Sequence, residues 1–254
     1  MTYFNFLIVF VILPAAALTV WVRPTRREWL VLGALLVVTY LWTTPWDNYL
    51  VGSGVWYYDP QLVSGIVFGW VPLEEYLFFG LQVWLSGMWT LGLRRVLAGA
   101  SPAFTQAAFL PAVGAGLGAV SQPVTTALAG GVPSADLPAL PFGQWNYLFL
   151  ILVWALPVIA GQVWLGWGAL RARWPVWLAG SLVPALYLTS VDAVALGAGT
   201  WAIAPAQSLN VFLPGRVPLE EGVFFLVTNL LIVQGVLLCT SPEVEARLRG
   251  WLKR

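Results

Sequence analysis

The 254-residue chain has no histidine, one cysteine (Cys239), two methionines and little charge, with Asp, Glu, Lys and Arg making up 9% of it. Without histidine, neither a Ser-His-Asp nor a Cys-His nucleophile system can be assembled, and Cys/His zinc sites are excluded with them. A lone cysteine excludes a disulfide within the chain. The formal net charge is +1, so no basic patch is offered to nucleic acid. What fills the space is apolar: 59% of residues are hydrophobic and the mean hydropathy is +0.81. A soluble domain of this size cannot hide so much apolar surface, which makes the chain an integral membrane protein.

Seven apolar stretches are long enough to cross a bilayer: 3–22, 29–48, 71–93, 104–130, 145–168, 174–196 and 217–239. The fourth is the least apolar and carries Gln106, Gln122, Thr125 and Thr126. The first is preceded by no basic residue and followed by Arg23, Arg26 and Arg27, so it reads as a retained span and not a cleavable signal. Seven crossings put 11 of the 12 Lys and Arg residues on one face and leave Arg216 on the other. The positive-inside rule then predicts an N-terminus outside and a C-terminus in the cytoplasm, with the plasma membrane as the expected location.

Against that apolar background one motif occurs twice. Pro72-Leu73-Glu74-Glu75 is followed by Phe78-Phe79, and Pro218-Leu219-Glu220-Glu221 by Phe224-Phe225. The duplication extends upstream. Asp47, Gly52, Gly54, Trp56 and Pro60 match Asp192, Gly197, Gly199, Trp201 and Pro205 at an offset of 145. The expected fold is all-α and polytopic: seven transmembrane helices arranged as two three-helix repeats, residues 1–98 and 143–254, joined by a linking helix and loop within 99–142. Equivalent helices are four crossings apart, an even number, so the repeats run parallel about an axis along the membrane normal. Both Glu-Glu pairs and both aspartates then fall at the outer ends of their helices, facing one cavity.

A single Pro-Leu-Glu-Glu is an ordinary helix start, because proline suits the first turn and acids suit the positive end of the helix dipole. Two copies with matched aromatics and matched aspartates ask for more. A carboxylate at the bilayer centre costs roughly 2.5–3.5 kcal/mol on insertion scales, and intramembrane acids mark functional sites by default. Carboxyls crowded in an apolar cavity are general acid–base equipment. Adjacent helical residues point about 100° apart. Glu75 shares a face with Phe79, Gln82 and Ser86, and Glu221 with Phe225 and Thr228, so the second glutamate of each pair is expected to face the interior and the first to bond a neighbouring helix. Asp47, on a stripe with Tyr40, Thr43 and Thr44, is expected with Asp192 to support them. The Gly-x-Gly pairs follow a transmembrane helix, not a strand, so they are not nucleotide fingerprints. They predict tight turns that fold Trp56 and Trp201 over the site. Phe78, Phe79, Phe224 and Phe225 offer π faces that stabilise a cation.

The paired motifs resemble those of the membrane-integral lycopene cyclases of the bacterial heterodimeric and fungal fused type. The resemblance covers roughly 3–95 and 145–240, as if two small subunits had been joined by the helix near 104–130. It implies a lipophilic carotenoid substrate, lycopene or γ-carotene, drawn from the bilayer. It also implies proton-initiated, redox-neutral closure of β-ionone rings, with Glu74, Glu75, Glu220 and Glu221 as acid/base candidates. No metal and no cofactor is expected, and contact with other carotenoid-pathway enzymes is possible on this reading. A proton-coupled transporter with the same layout competes, as do a carotenoid hydratase and a C50 cyclase. A retinal photoreceptor does not, because the only lysine is Lys253 in the tail.

Overall fold

A computed structural model of the protein describes residues 1–99 and 135–252. The expected fourth span, 104–130, and most of the linker lie outside them. The described chain is mostly helical. Helix α1 is Tyr3–Val22, α2 Arg26–Gly52, α3 Leu73–Gly99, α4 Asn146–Ala172, α5 Trp174–Gly197, α6 Leu219–Cys239 and α7 Pro242–Leu252. Five of these (α1, α2, α4, α5 and α6) are long and apolar enough to cross a membrane. Helix α3 is 27 residues long but more polar, and is not among the five.

Local chemistry sets the helix ends and irregularities. Arg23 adopts a left-handed conformation before Pro24, which stops α1. Thr25 and Glu28 then start α2 with a reciprocal capping box. Within α1, residues Ile8–Ile12 form a π turn just ahead of Pro14. Proline has no N–H to give to the carbonyl of Phe10. That carbonyl instead accepts the Tyr187 hydroxyl at 2.9 Å, tying α1 to α5.

Helices α3 and α6 form the centre. Helix α3 packs against α1, α2 and α5, α6 against α4, α5 and α2, and the two meet each other. Burial follows the same order: 67% of the apolar window of α6 is buried against 17% of that of α2. Hydrogen bonds between α3 and α6 join residues 146 positions apart, Gln82 Nε2 to Thr228 Oγ1 at 2.8 Å and Arg94 to Thr240 Oγ1 at 2.7 Å. Ser86 adds a bond to Asn229 at 2.6 Å.

The all-α expectation misses two small antiparallel ladders. Strand β1 (Trp56–Tyr58) pairs with β4 (Trp201–Ile203), and β2 (Val67–Phe68) with β3 (Val71–Pro72). In the first ladder Tyr57 stands opposite Ala202, 145 positions on. Two flanking bonds extend it, Asp59 N–H to the Thr200 carbonyl (3.1 Å) and Ala204 N–H to the Val55 carbonyl (2.9 Å). The predicted lid loops therefore fasten to each other and not only to their own helices. Periodicity could not reveal this, because three-residue strands bury too little to leave a pattern.

At the opposite end, Glu28 is buried and receives Arg94 (3.0 Å) and Arg95 (2.6 Å) from α3. Arg27 reaches Glu245 of α7 at 2.8 Å.

Candidate active site

Helix α3 begins directly after Pro72 and α6 directly after Pro218, which puts both glutamate pairs in first turns. The two members of each pair point different ways. Glu74 accepts the Ser64 amide at 2.5 Å and the Ser64 hydroxyl at 3.1 Å. Glu220 accepts the Leu209 amide at 2.6 Å and the Ser208 hydroxyl at 3.1 Å. The expectation that the first glutamate bonds a neighbouring helix is corrected: each holds the loop that precedes its own helix. A helix start leaves loop amides within reach, and a carboxylate there satisfies them.

Glu75 and Glu221 turn inward. Glu75 accepts the hydroxyls of Tyr3 (2.5 Å) and Tyr58 (3.0 Å), and Glu221 accepts that of Tyr147 (2.6 Å). Together with Asp192 they line one cavity. Tyr58 lies in the loop over the cavity. Its burial, then the charges of Glu75 and Asp47, hold its phenol well above the ordinary value, so it remains a proton donor. The ion pairs of the described residues run to Glu28 and Glu245, at the far end of the helices.

Among the aromatic candidates, Phe78, Phe224, Phe225, Trp56 and Trp201 line the cavity with Tyr3 and Phe6. Phe79 does not; it lines a separate groove, although it was expected to share the interior face with Glu75. The two Gly-x-Gly turns take the same form, Gly54 and Gly199 both at φ +70°. An L side chain disfavours that conformation, which is why glycine stands there. Each turn lays its tryptophan on the cavity.

The two aspartates differ. Asp192 accepts the Trp201 indole N–H at 3.0 Å. Asp47 is fully buried with neither oxygen hydrogen-bonded among the described residues. Asp47 does not line the cavity.

Four participants escape the sequence reading. Tyr3 and Tyr147 open the first and fifth apolar stretches, and a tyrosine at each opening was a legible signal. Trp46 and Trp154 had none, since neither has an aromatic partner in the other copy. Trp46 stacks on Trp154 at 4.6 Å and on Phe224 at 5.8 Å, and meets Trp56 edge-on at 5.7 Å. These rings stack behind Phe224, and Trp154 lines a neighbouring groove.

Comparison with known proteins fits this geometry. The family model described as lycopene cyclase matches residues 1–91 and 143–237. A "Lycopene beta-cyclase" of Halobacterium salinarum is 38% identical over 207 residues, 81% of this chain and 80% of that protein. "Bifunctional lycopene cyclase/phytoene synthase" proteins of Podospora anserina and Aspergillus niger are 35% and 32% identical, over 87% and 89% of this chain. The chain spans 37% and 38% of those fungal proteins. No solved structure matches the chain. With most of its length matched by the family model and by a relative of similar size, the chain belongs to the lycopene cyclase family.

Proposed function

We propose that the protein is a lycopene β-cyclase whose single catalytic cavity is shared by two homologous halves. The observation that carries this reading is the convergence of Glu75 from α3 and Glu221 from α6 on one aromatic cavity. A carboxylic acid of the pair protonates C2 of the terminal double bond and leaves a tertiary cation at C1. The 5,6 double bond attacks C1, the C1–C6 bond forms, and the charge moves to C5. Loss of the C6 proton to a carboxylate leaves the 5,6 double bond of a β-ring. Atoms and electrons balance, so the step needs no redox cofactor. The π faces of Phe78, Phe224, Phe225, Trp56 and Trp201 stabilise the migrating charge. A preorganised, water-poor wall of this kind also keeps water from quenching it.

Within this reading Glu75 and Glu221 act on the substrate. Glu74 and Glu220 anchor the loops and position the helix starts. Asp192 holds Trp201 in place, and Asp47 stands behind Glu75 as a further buried carboxyl. Phe79 serves the neighbouring groove.

The proposed architecture is two parallel three-helix repeats, α1–α3 and α4–α6, joined through residues 99–142. Pairing of Gln82 with Thr228 and of Tyr57 with Ala202, each with its counterpart in the other half, supports a twofold-like relation. On the positive-inside rule the cavity lies toward the outer face of the plasma membrane, and the Glu28–Arg94–Arg95 cluster at the cytoplasmic face. The substrate arrives through the bilayer, and neighbouring enzymes of carotenoid synthesis are the natural suppliers.

Purified protein given lycopene in deuterated buffer tests this. Cyclisation retains one deuterium per ring formed, without a change in composition otherwise. A product heavier by the elements of water marks a hydratase, and unchanged lycopene contradicts the reading.

A further inference from the structure

A second groove lies deeper along the helices than the carboxylate cavity. Its volume is about 190 Å³. Helix α2 forms one wall through Leu35, Val38, Thr39 and Trp42, and α4 the other through Trp154, Val158 and Gln162. Helices α3 and α6 supply the floor, and there Gln82 is bonded to Thr228. Gln162 is turned toward the Leu231 carbonyl at 3.1 Å, which leaves mostly aliphatic and aromatic surface facing the groove.

Two features fix what this groove can take. It opens sideways: Val38 and Trp42, on its rim, are 59% and 48% exposed on the face where α2 meets lipid. It also adjoins the catalytic cavity, because Phe224 lines both. Trp42 and Trp46 cross from α2 to α4 above the groove, donating to the carbonyls of Trp154 (3.4 Å) and Leu150 (2.8 Å). From Leu35 to Thr43 the groove wall runs about 12 Å along α2, at 1.5 Å per residue.

We propose that this groove seats the conjugated chain of the substrate, entering from the bilayer between α2 and α4, while the end group passes Phe224 into the carboxylate cavity. The inference rests on the carotenoid reading of that cavity. The carboxylate cavity is far smaller than a C40 molecule, so the rest of the chain needs an apolar path out. The groove supplies that path, with Phe224 standing between it and the site. Val38, Val158 and Phe224 therefore set how wide a chain is admitted.

Cysteine labelling after folding tests this. With Cys239→Ser as background, Val158→Cys protein is purified in detergent and reacted with a pyrene maleimide. Two quantities are read: lycopene retained through gel filtration, and its conversion. The same preparation before labelling is its own folding control, and Val38→Cys on the opposite wall repeats the test if Val158→Cys fails to fold. Val37→Cys, exposed on α2 and outside the groove lining, is the labelling control. The expected result is a loss of retention of about tenfold or more, equivalent to about 1.4 kcal/mol, and loss of conversion with it, in the labelled Val158→Cys protein and not in the labelled control. Retention and conversion equal to the Val37→Cys control overturn the proposal, and would be seen if a lipid acyl chain is the occupant. If unlabelled protein retains lycopene without converting it, the cyclase reading fails. The groove is then still judged by retention.

Discussion

Gln82 donates a 2.8 Å hydrogen bond to Thr228, which stands 146 positions downstream, the offset that also separates Glu74 from Glu220. Both side chains are buried. Residues that occupy equivalent places in two halves and touch each other lie where the halves meet. This contact sits one turn or more below the glutamates, on the faces that carry Glu75 and Glu221.

That bond gives an asymmetric prediction. Thr228 also bonds the Phe224 carbonyl at 2.9 Å, so Gln82→Leu leaves it satisfied. The expected loss is about 0.5–1.5 kcal/mol of stability. Thr228→Val strands the Gln82 amide in the core and should cost about 1–3 kcal/mol. Thermal unfolding in one detergent, with both variants side by side, checks the order.

Tyr3 and Tyr147 each hold a cavity glutamate through one hydroxyl, and Glu75 has Tyr58 in addition. Removing the hydroxyl takes away one orienting bond, worth about 1 kcal/mol and upward. Tyr147→Phe should therefore slow conversion by about fivefold or more, and Tyr58→Phe by less, because Glu75 keeps Tyr3. A drop in kcat with an unchanged melting temperature is the expected signature. A loss of melting temperature alone would make the tyrosines structural.

Glu74 and Glu220 should behave otherwise. Each receives a part-buried loop amide and a serine hydroxyl. Glu74→Ala takes the acceptor away from the Ser64 amide, at a cost of about 0.5–1.5 kcal/mol. Glu74→Gln keeps an acceptor and should recover most of that stability and most of the activity. A Glu74→Gln protein that folds well but converts nothing would place this carboxyl in the chemistry.

Glu245, outside the spans, is held below the ordinary carboxylate value by hydrogen bonds from Arg249 and then Arg27. A depressed carboxyl contributes stability that is present above its unfolded pKa and lost as pH falls through its folded value. The link from α2 to α7 should thus weaken on acidification below the usual carboxylate range. Salt should weaken it too, since the pair is exposed. Protease cleavage of α7, faster at low pH and high salt and pH-independent in Glu245→Gln, reports it.

How much of this was legible depends on the length scale of each signal. The duplicated Pro-Leu-Glu-Glu and Asp-Gly-x-Gly-Trp segments identified Glu75, Glu221, Asp192, Trp56 and Trp201 as candidates, and all of them gather at the cavity. Periodicity located α1, α2, α4, α5 and α6 because each buries or exposes a long apolar face. It could not say which face of α3 meets which helix, so Phe79 was expected at the cavity and lies in the groove instead. The partners of Glu74 and Glu220 depended on loop backbones, whose amides carry no side-chain signature. Trp46 and Trp154 come together only through packing of α2 against α4.

The central claim is one cavity built by both halves. Expression of Glu75→Gln and Glu221→Gln separately in a lycopene-accumulating bacterium, with pigments separated by chromatography and protein levels matched, tests it most directly. The account predicts that the unaltered protein yields cyclic carotenes. It predicts that each single substitution lowers conversion by about a hundredfold or more, the usual scale for a lost general acid or base. Cyclic product at unaltered levels from either variant would mean that one half works without the other, and would contradict the shared site.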